Sequence, residues 1–457
     1  MLDDKAIKYC FFLGIGGIGM SALAKYLRLK GYKVAGYDRT ASEASAKLAD
    51  LGISVIHQQD IELVDQAYLN TTEACVIYTP AINANQPLYQ DLASLGLHFY
   101  KRSDVLGQLS KNRFTIAIAG THGKTTTSTI LTHVLKASGK KITALLGGVY
   151  LNTQDNFVHT GDDLLVLEAD EFDRTFLKLH PDILAITTSD IDHKDIYASQ
   201  EEVDAAFQTF AKKANVENRV INAEIPIEGT HVGFEASADA QLYNLRLEDG
   251  ITYFNIKTNT QVYDAIPSLL HGKHNVFNTG IAVVIALKVG CPMEKIKAAL
   301  LNFKGIYRRF QRIFTSKQCI YIDDYAHHPT ELKALLLSVK NTFPKYSIEL
   351  VFQPHLFSRT RDFADDFARV LADVDRLFLL DIYPAREQPI SGVDAAFLLQ
   401  KIHQNNPETI KTHQLASKEE IPDLILKNKE KKVLLSVGAG DIELLVPTIK
   451  SALSYAV

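Results

Sequence analysis

The chain has 457 residues, of which 46% are hydrophobic and 22% charged, and its formal net charge is -4 at pH 7. This composition excludes a disordered chain, and the charge excludes a global basic field of the kind that recruits nucleic acid or an acidic membrane surface. The four cysteines form no CxxC pair, so we expect neither a disulfide framework nor a zinc site. With no signal-peptide pattern and no apolar run of about 18 residues, we expect a cytoplasmic protein without a membrane span.

Short apolar strands alternate with helical patterns along most of the sequence, which predicts α/β domains with mostly parallel sheets. A first alternation begins with CFFLG, a second with KNRFTIAIAG near residue 111, and a third with CIYIDDYA near residue 318. Residues 225–268 instead alternate as antiparallel hairpins do, around a Glu-Asp-Gly turn. We therefore predict three α/β domains, at residues 1–110, 111–314 and 315–457.

A glycine loop follows the first predicted strand and opens a helix. Gly14, Gly16 and Gly19 match the pattern G-x-G-x-x-G, and Asp38 ends the next strand, where a ribose-binding acid belongs in dinucleotide-binding folds. Taken alone, this loop indicates an NAD-dependent dehydrogenase. The pattern specifies only a backbone that tolerates a diphosphate, so other diphosphate ligands remain open.

A second phosphate-binding pattern is AGTHGKTTT, which ends in Gly-Lys-Thr as a P-loop does. The usual spacing requires a glycine at position 118, but Ile118 is there, and Gly120 comes two residues later. We interpret the stretch as a compact P-loop, because an apolar strand, a glycine turn and a helix follow in the order that phosphate binding requires. Two phosphate loops in separate domains predict a nucleotide donor that acts on a nucleotide-linked acceptor.

Acidic side chains follow two buried strands of the central domain, and histidines and arginines follow strands of the last one. Because the carboxyl ends of parallel strands form the ligand-binding edge of an open sheet, the acids indicate Mg²⁺ that bridges phosphates. The alternative is that they are solvated turns. The acidic clusters are Glu168, Asp170, Glu171 and Asp173, then Asp190, Asp192, His193 and Asp195. The motifs DDYAHHP and QPHLFSRTR suit capture of a carboxylate or phosphate, and the Arg308–Arg309 pair precedes them.

In order along nearly the whole chain, these motifs resemble those of the Mur ligase family. The motifs are GIGGIGMS, AGTHGKTTT, EADEFD, DIDHKD, HGKHNVFN, YRRFQ, DDYAHHPTE, FQPHLFSRTRDF and IYPAREQPISG. The resemblance implies a Rossmann-like domain that binds a UDP substrate, a central P-loop ATPase-type domain with a mostly parallel sheet, and a Rossmann-like C-terminal domain on the amino-acid side. It also implies ATP and Mg²⁺ as cofactors, UDP-N-acetylmuramate and L-alanine as small-molecule substrates, and a monomer or weak homodimer. The implied activity is ATP-dependent amide synthesis through an acyl phosphate, in peptidoglycan precursor synthesis.

The resemblance also assigns roles residue by residue. The UDP substrate would be bound by Gly14, Ile15, Gly16, Gly17, Ile18, Gly19 and Asp38. ATP would be bound by Gly120, Thr121, His122, Gly123, Lys124, Thr125, Thr126, His274, Asn275, Asn278, Arg309 and Asp324. Mg²⁺ would be held by Thr125, Glu168 and His193, and the amino acid and acyl phosphate by His327, His355 and Arg359. Roles in catalysis would fall to Lys124, Glu168, His193, Arg309, His327, His355 and Arg359.

The sequence departs from the family pattern at three places. Phe172 stands where a small hydroxyl residue is expected, and Thr188 where asparagine is more usual. Neither Lys212 nor Lys213 clearly fills the place of the carbamylated lysine that some sister ligases use for a second Mg²⁺. A murein-tripeptide recycling ligase, for which we expect a less glycine-rich first loop, an NAD-dependent dehydrogenase and a nucleotide-binding regulator without catalysis remain as alternatives.

Overall fold

The structure is a computed structural model that describes residues 6–190, 197, 199–385, 387–405 and 412–455, without the side chains of residues 172, 173 and 405. The chain divides into two compact units. The first consists of Met1–Leu269 and Phe277–Lys304, and the second of Leu270–Val276 and Gly305–Val457. Among the described residues, no helix is both long and apolar enough to cross a membrane.

The first unit begins with a five-stranded sheet in the order β3-β2-β1-β4-β5, in which every pairing is parallel. Its strands are β1 (Tyr9–Leu13), β2 (Lys33–Tyr37), β3 (Ser54–Ile56), β4 (Ala74–Tyr78) and β5 (His98–Lys101). Its helices are α1 (Ile18–Leu29), α2 (Glu43–Asp50), α3 (Pro87–Ser94) and α4 (Arg102–Lys111). The predicted strand, glycine loop and helix at the start of the chain are therefore β1, residues 14–17 and α1.

A ten-stranded sheet completes the first unit, in the order β15-β14-β13-β12-β11-β10-β6-β9-β7-β8. The strands are β6 (Thr115–Ala119), β7 (Ile142–Tyr150), β8 (Asp155–His159), β9 (Leu164–Ala169), β10 (Ile183–Ile186), β11 (Arg219–Asn222), β12 (Thr230–Gly233), β13 (Ala240–Glu248), β14 (Ile251–Thr258) and β15 (Val262–Ser268). The helices are α5 (Lys124–Ala137), α6 (Gln200–Ala211), α7 (Lys273–Lys288), whose residues 273–276 are counted with the second unit, and α8 (Met293–Leu300). The pairs β13–β14 and β14–β15 are antiparallel, which confirms the hairpins predicted there.

Helix α1 packs on the edge strand β8 of the ten-stranded sheet. Buried Lys25 of α1 forms an ion pair with Asp155 and donates a hydrogen bond to Asn156 at 3.1 Å. The Asn156 amide in turn donates to the Ser21 hydroxyl at 3.0 Å. Apolar side chains of both parts of the unit, among them Leu23 of α1 and Leu145 of β7, belong to one buried cluster. This packing fixes the first glycine loop relative to the P-loop.

The second unit contains a six-stranded sheet in the order β16-β17-β21-β18-β19-β20. Its strands are β16 (Gln311–Thr315), β17 (Cys319–Asp324), β18 (Ser347–Phe352), β19 (Arg376–Leu379), β20 (Thr412–Leu415) and β21 (Lys432–Val437). The helices are α9 (Pro329–Thr342), α10 (Phe357–Asp362), α11 (Ala364–Leu371), α12 (Ala395–Asn405), α13 (Ile421–Lys427) and α14 (Val446–Tyr455). All pairings except β16–β17 are parallel, and a separate apolar cluster covers each face.

The three sheets, all mostly parallel, confirm the predicted α/β class. The boundaries at residues 111 and 315 stay a prediction, because the compact units do not separate the first two sheets.

Candidate functional site

The P-loop lies at the carboxyl end of β6, in the middle of the ten-stranded sheet. Strands β9 and β10 flank β6 in parallel, so Asp170 and Glu171 after β9 and Asp190 after β10 lie at the same edge. Asp192 and Asp195 of the second predicted cluster lie outside the described residues. Gly120 and Gly123 have φ angles of +131° and +84°, which side-chain-bearing residues rarely adopt. Gly123 caps the N-terminus of α5, so the loop directs backbone N–H groups and the positive end of the helix dipole to one place.

Threonine hydroxyl groups hold the loop to the neighbouring strand end. The Thr121 and Thr188 hydroxyl oxygens lie 2.9 Å apart, and the backbone N–H of His122 donates to the Thr188 hydroxyl at 2.8 Å. The backbone N–H of Thr121 donates to the Thr188 carbonyl at 3.2 Å. Thr188 departs from the family pattern, yet it supports the loop here through its side chain and its backbone.

Lys124, the first residue of α5, lies among carboxylates. Its Nζ donates to Glu171 Oε2 and to the Gly120 carbonyl, each at 2.6 Å, and lies 3.7 Å from Asp170 Oδ1. Burial opposes the charged form of the lysine, but the negative charges of Glu171 and Asp170 outweigh it and raise the pKa of Lys124. Burial raises the pKa of Glu171, against the opposing charge of Lys124. The lysine is therefore charged and held at the loop.

Glu168 at the end of β9 accepts hydrogen bonds from three donors. The Thr125 and Ser128 hydroxyl groups donate at 2.9 Å each, and the backbone N–H of Gly147 donates at 2.6 Å. A carboxylate beside a hydroxyl is a hard-oxygen donor set that fits Mg²⁺ shared with phosphate oxygens. The described residues contain no group of three or more His, Cys, Asp or Glu side chains that could hold a metal. His193, the third expected ligand, lies outside the described residues.

The first glycine loop is closed by Asp38, whose Oδ2 accepts the backbone N–H of Gly16 at 2.8 Å. A Cβ at Gly16 would lie 2.8 Å from the same oxygen, so the contact requires glycine. Gly14 has a φ of +81°, Ile15 is fully buried, and Gly17 caps α1. Asp38 therefore shapes the loop with one carboxylate oxygen, which is a contact that the sequence pattern alone does not reveal.

Both phosphate loops line one cavity of about 410 Å³. The first loop contributes Gly17, Ile18 and Gly19, and the central domain contributes Lys124, Thr125 and Glu168. The sequence predicted each loop separately, and the structure brings them together. The expected residue Thr126 does not line the cavity and is buried in the first turn of α5.

Arg308 and Arg309 have different environments in the second unit. Arg308 is buried, and its Nε donates to Asp323 Oδ2 at 2.8 Å while its Nη2 donates to the Gly438 carbonyl at 2.7 Å. Arg309 is partly exposed, and its Nη1 lies 3.7 Å from Glu331 Oε1. Arg308 is thus a structural residue, and Arg309 is the more exposed member of the pair.

Asp324, His327 and His355 lie at the carboxyl edge of the six-stranded sheet. Asp324 accepts the backbone N–H groups of Phe310 at 2.6 Å and Ala326 at 2.8 Å, and burial raises its pKa to about 6. His327 Nδ1 lies 2.9 Å from the Tyr325 carbonyl, and the His327 ring lies edge-on to the His355 ring with centroids 5.9 Å apart.

The remaining expected residues are distributed over both units. Arg359 is half-buried in α10, and exposed His274 stands at the start of α7. Asn275 is buried, and its amide donates to the His271 carbonyl at 2.8 Å. Asn278 belongs to the first unit, where a Cβ at Gly123 would lie 2.5 Å from its Oδ1. Asn278 therefore packs against the P-loop.

Sequence reasoning missed specific roles for two residues at the cavity. Glu171 was one acid in a cluster of four, and only the structure makes it the buried partner of Lys124. Arg102 lines the cavity although it belongs to none of the motifs. Its position as the first residue of a helix after a strand is a signal that could have drawn attention to it, because such positions face the ligand-binding edge.

Comparison with known families identifies the chain. The catalytic domain of the Mur ligase family matches residues 11–114, the Mur ligase middle domain matches residues 118–286, and the Mur ligase glutamate ligase domain matches residues 308–440. The chain belongs to the Mur ligase family, whose members are ATP-dependent ligases. The dehydrogenase interpretation, which rested on the first loop alone, is therefore set aside.

Individual relatives match over the whole chain. A UDP-N-acetylmuramate–L-alanine ligase of Christiangramia forsetii is 42% identical over 457 residues, which is 100% of each chain. One of the same name from Flavobacterium johnsoniae is 41% identical and covers 98% of each chain. The crystal structure of UDP-N-acetylmuramate-alanine ligase from Thermotoga maritima matches with a TM-score of 0.84 at 25% identity, over 98% of this chain and 100% of that one. A murein peptide ligase from Psychrobacter arcticus shares the fold, with a TM-score of 0.69 at 22% identity over 98% of each chain.

Proposed function

We propose that this ligase joins L-alanine to UDP-N-acetylmuramate with consumption of ATP, as a step of peptidoglycan precursor synthesis in the cytoplasm. The observation that carries the proposal is the cavity that both phosphate loops line, because a nucleotide-linked acceptor and ATP must meet for such a reaction. The full-length relatives that bear this activity in their names support the choice of substrates.

The proposed reaction has two steps. The lactyl carboxylate of the muramic acid attacks the γ-phosphorus of ATP in line, which forms an acyl phosphate and releases ADP. The amine of L-alanine then attacks the activated carbonyl, the C–O bond to phosphate breaks, and the amine loses a proton as the amide forms. Chemistry of this kind depends on positioning and on neutralisation of charge more than on a nucleophilic side chain.

The chain's own residues supply that positioning. In the proposal, the backbone N–H groups at the N-terminus of α5 bind phosphate oxygens. Charged Lys124 stabilises the outer phosphates as negative charge shifts between them. In the proposal, Thr125, Glu168 and His193 hold Mg²⁺, which when bound neutralises charge on the phosphates. The three donors to Glu168 keep its carboxylate oriented toward Thr125.

The roles of the remaining residues are part of the same proposal. His274, Asn275 and Asn278 serve the nucleotide, as do Arg309 and Asp324, while His327, His355 and Arg359 serve the amino acid and the acyl phosphate. The clustering of Asp324, His327 and His355 at one sheet edge supports a common site for them. We propose a monomer or weak homodimer, which sedimentation velocity at several protein concentrations tests.

The test of the function measures phosphate release from ATP in the presence of Mg²⁺ and UDP-N-acetylmuramate, with and without L-alanine. The proposal expects release only when both acceptors are present, together with a product that is heavier by one alanyl residue. No release with both acceptors, from protein that binds ATP, contradicts the proposal. In that case, ligation of a preformed tripeptide would identify the protein as a recycling ligase. The absence of any turnover would instead favour a nucleotide-binding regulator without catalysis.

A further inference from the structure

The side chain of Arg102 connects the first glycine loop to the acids of the central sheet. Arg102 begins α4, lines the shared cavity, and lies with its Nη2 3.5 Å from Asp170 Oδ2. A Cβ at Gly19 would lie only 2.5 Å from Arg102 Nη1. The guanidinium group therefore rests on the backbone of the third glycine of the first loop, in space that any larger residue at position 19 would occupy.

The two cations of the cavity lining are held differently. Lys124 is fixed by Glu171 and by the Gly120 carbonyl, each at 2.6 Å. The ion pair between Arg102 and Asp170 is longer, and the two side chains are 24% and 41% exposed. A partly exposed ion pair of this kind contributes about 1 kcal/mol or less to the free energy of folding. An anionic ligand that matches the guanidinium better therefore competes with Asp170 for it.

On the basis of the proposed function, we propose that Arg102 binds the diphosphate of the UDP-linked acceptor at the first glycine loop. A guanidinium group presents paired N–H donors that match two oxygens of a phosphate. Its contact with Gly19 places these donors beside the loop backbone that faces the diphosphate. The Asp170 carboxylate lies beside the guanidinium, and in the proposal phosphate oxygens of the acceptor take its place.

Calorimetric titration of the full-length chain with UDP, in buffer with EDTA and without ATP, tests this role apart from catalysis. Arg102→Gln should weaken UDP binding about ten- to a hundredfold, the effect of losing a charge-assisted hydrogen bond, and Arg102→Lys should weaken it less. Arg28→Gln, at the opposite end of α1, is the matched control and should leave UDP affinity unchanged. Thermal unfolding of each variant checks that the fold is intact.

Asp170→Asn separates a binding role from a structural one. The proposal expects UDP affinity that is equal to or higher than that of the wild type, because a competing carboxylate is removed. An equal loss of affinity in Asp170→Asn and Arg102→Gln would mean that the ion pair serves the structure only, and the proposal would be wrong. It would also be wrong if Arg102→Gln bound UDP normally but lost affinity for UDP-N-acetylmuramate, since the contact would then be to the sugar acid.

Failure of the proposed function and failure of the Arg102 proposal give different results in these experiments. Wild-type protein that neither binds UDP nor turns over UDP-N-acetylmuramate contradicts the function itself. Wild-type protein that does both, beside an Arg102→Gln variant with unchanged UDP affinity, contradicts only the role of Arg102.

Discussion

Lys124 Nζ lies 2.6 Å from Glu171 Oε2, and the glutamate side chain is almost completely buried. The same ammonium group donates to the carbonyl of Gly120, four residues earlier in the loop. Lys124 is thus both the candidate phosphate ligand and the counter-charge of a buried acid, so its removal affects activity and stability by separate routes.

Lys124→Ala should abolish ATP turnover, with a loss of about a hundredfold or more, because the positive charge that stabilises the transferred phosphate is gone. It should also destabilise the first unit by about 3–5 kcal/mol, because it removes the cation that is paired with the buried Glu171 carboxylate. Steady-state phosphate release and chemical unfolding measure the two effects.

The double variant Lys124→Ala with Glu171→Gln is the control. It should recover most of the lost stability, since no uncompensated charge remains, and it should stay inactive. Near-normal activity in either variant would remove Lys124 from the proposed site.

Gly120→Ala should prevent ATP binding. Its φ of +131° disfavours any side chain, and a Cβ there would lie 2.1 Å from Thr187 Oγ1 and 2.8 Å from the backbone nitrogen of Thr188. The loop must move for alanine to fit, which displaces the N–H groups that bind phosphate. Gly139→Ala is the matched control, because its φ is also positive, at +86°, but nothing lies within 4 Å of its Cβ position. Fluorescent-nucleotide titration should separate the two variants, and equal affinities would refute the argument.

Glu168→Gln should raise the Mg²⁺ concentration required for half-maximal activity about tenfold or more and lower the maximal rate. The neutral amide is a weaker ligand for a hard cation, and its NH₂ group opposes the donors that now orient the carboxylate. Ser128→Ala removes one of these donors without changing the carboxylate and should have a much smaller effect. A Mg²⁺ titration of turnover in both variants makes the comparison. An unchanged Mg²⁺ requirement in Glu168→Gln contradicts the assignment.

The contribution of His271 to the stability of the second unit should be lost as the pH falls from 6.5 toward 4. Burial lowers the pKa of His271 from 6.5 to about 4, with a further contribution from the charge of Arg312. Neutral His271 accepts a hydrogen bond from Arg312 Nη2 at 3.2 Å. Because the folded-state pKa is below the unfolded-state value, this stabilisation is complete above pH 6.5 and is lost as the unfolded chain takes up a proton.

His271→Gln tests this pH dependence, since glutamine does not titrate. Thermal unfolding midpoints of the two proteins should converge as the pH is lowered from 7 to 4. Parallel pH profiles would show that His271 does not contribute.

Local features of the site could be predicted from the sequence. The P-loop is a continuous stretch in which strand, glycines, lysine and threonines all follow one another, so their joint position follows from chain order. The position of Asp170 and Glu171 after β9 was also predictable, because parallel strands place their carboxyl ends at one edge.

Contacts between distant segments could not be predicted in this way. Glu171 is far along the sequence from Lys124, which it contacts, and Arg102 is far from Asp170. The first loop and the P-loop line one cavity because α1 packs on β8. Thr188 illustrates the same limit, since a family pattern marks it as a departure while the structure gives its hydroxyl group a supporting role.

The most direct test of the central claim offers the protein ATP, Mg²⁺ and UDP-N-acetylmuramate together with equal amounts of L-alanine and L-alanyl-γ-D-glutamyl-meso-diaminopimelate. Mass spectrometry then identifies which amine has been joined to the muramic acid. The account predicts a product that carries a single alanyl residue, with formation of ADP and phosphate in equal amounts. A product that carries the tripeptide, with no alanyl product, would contradict it.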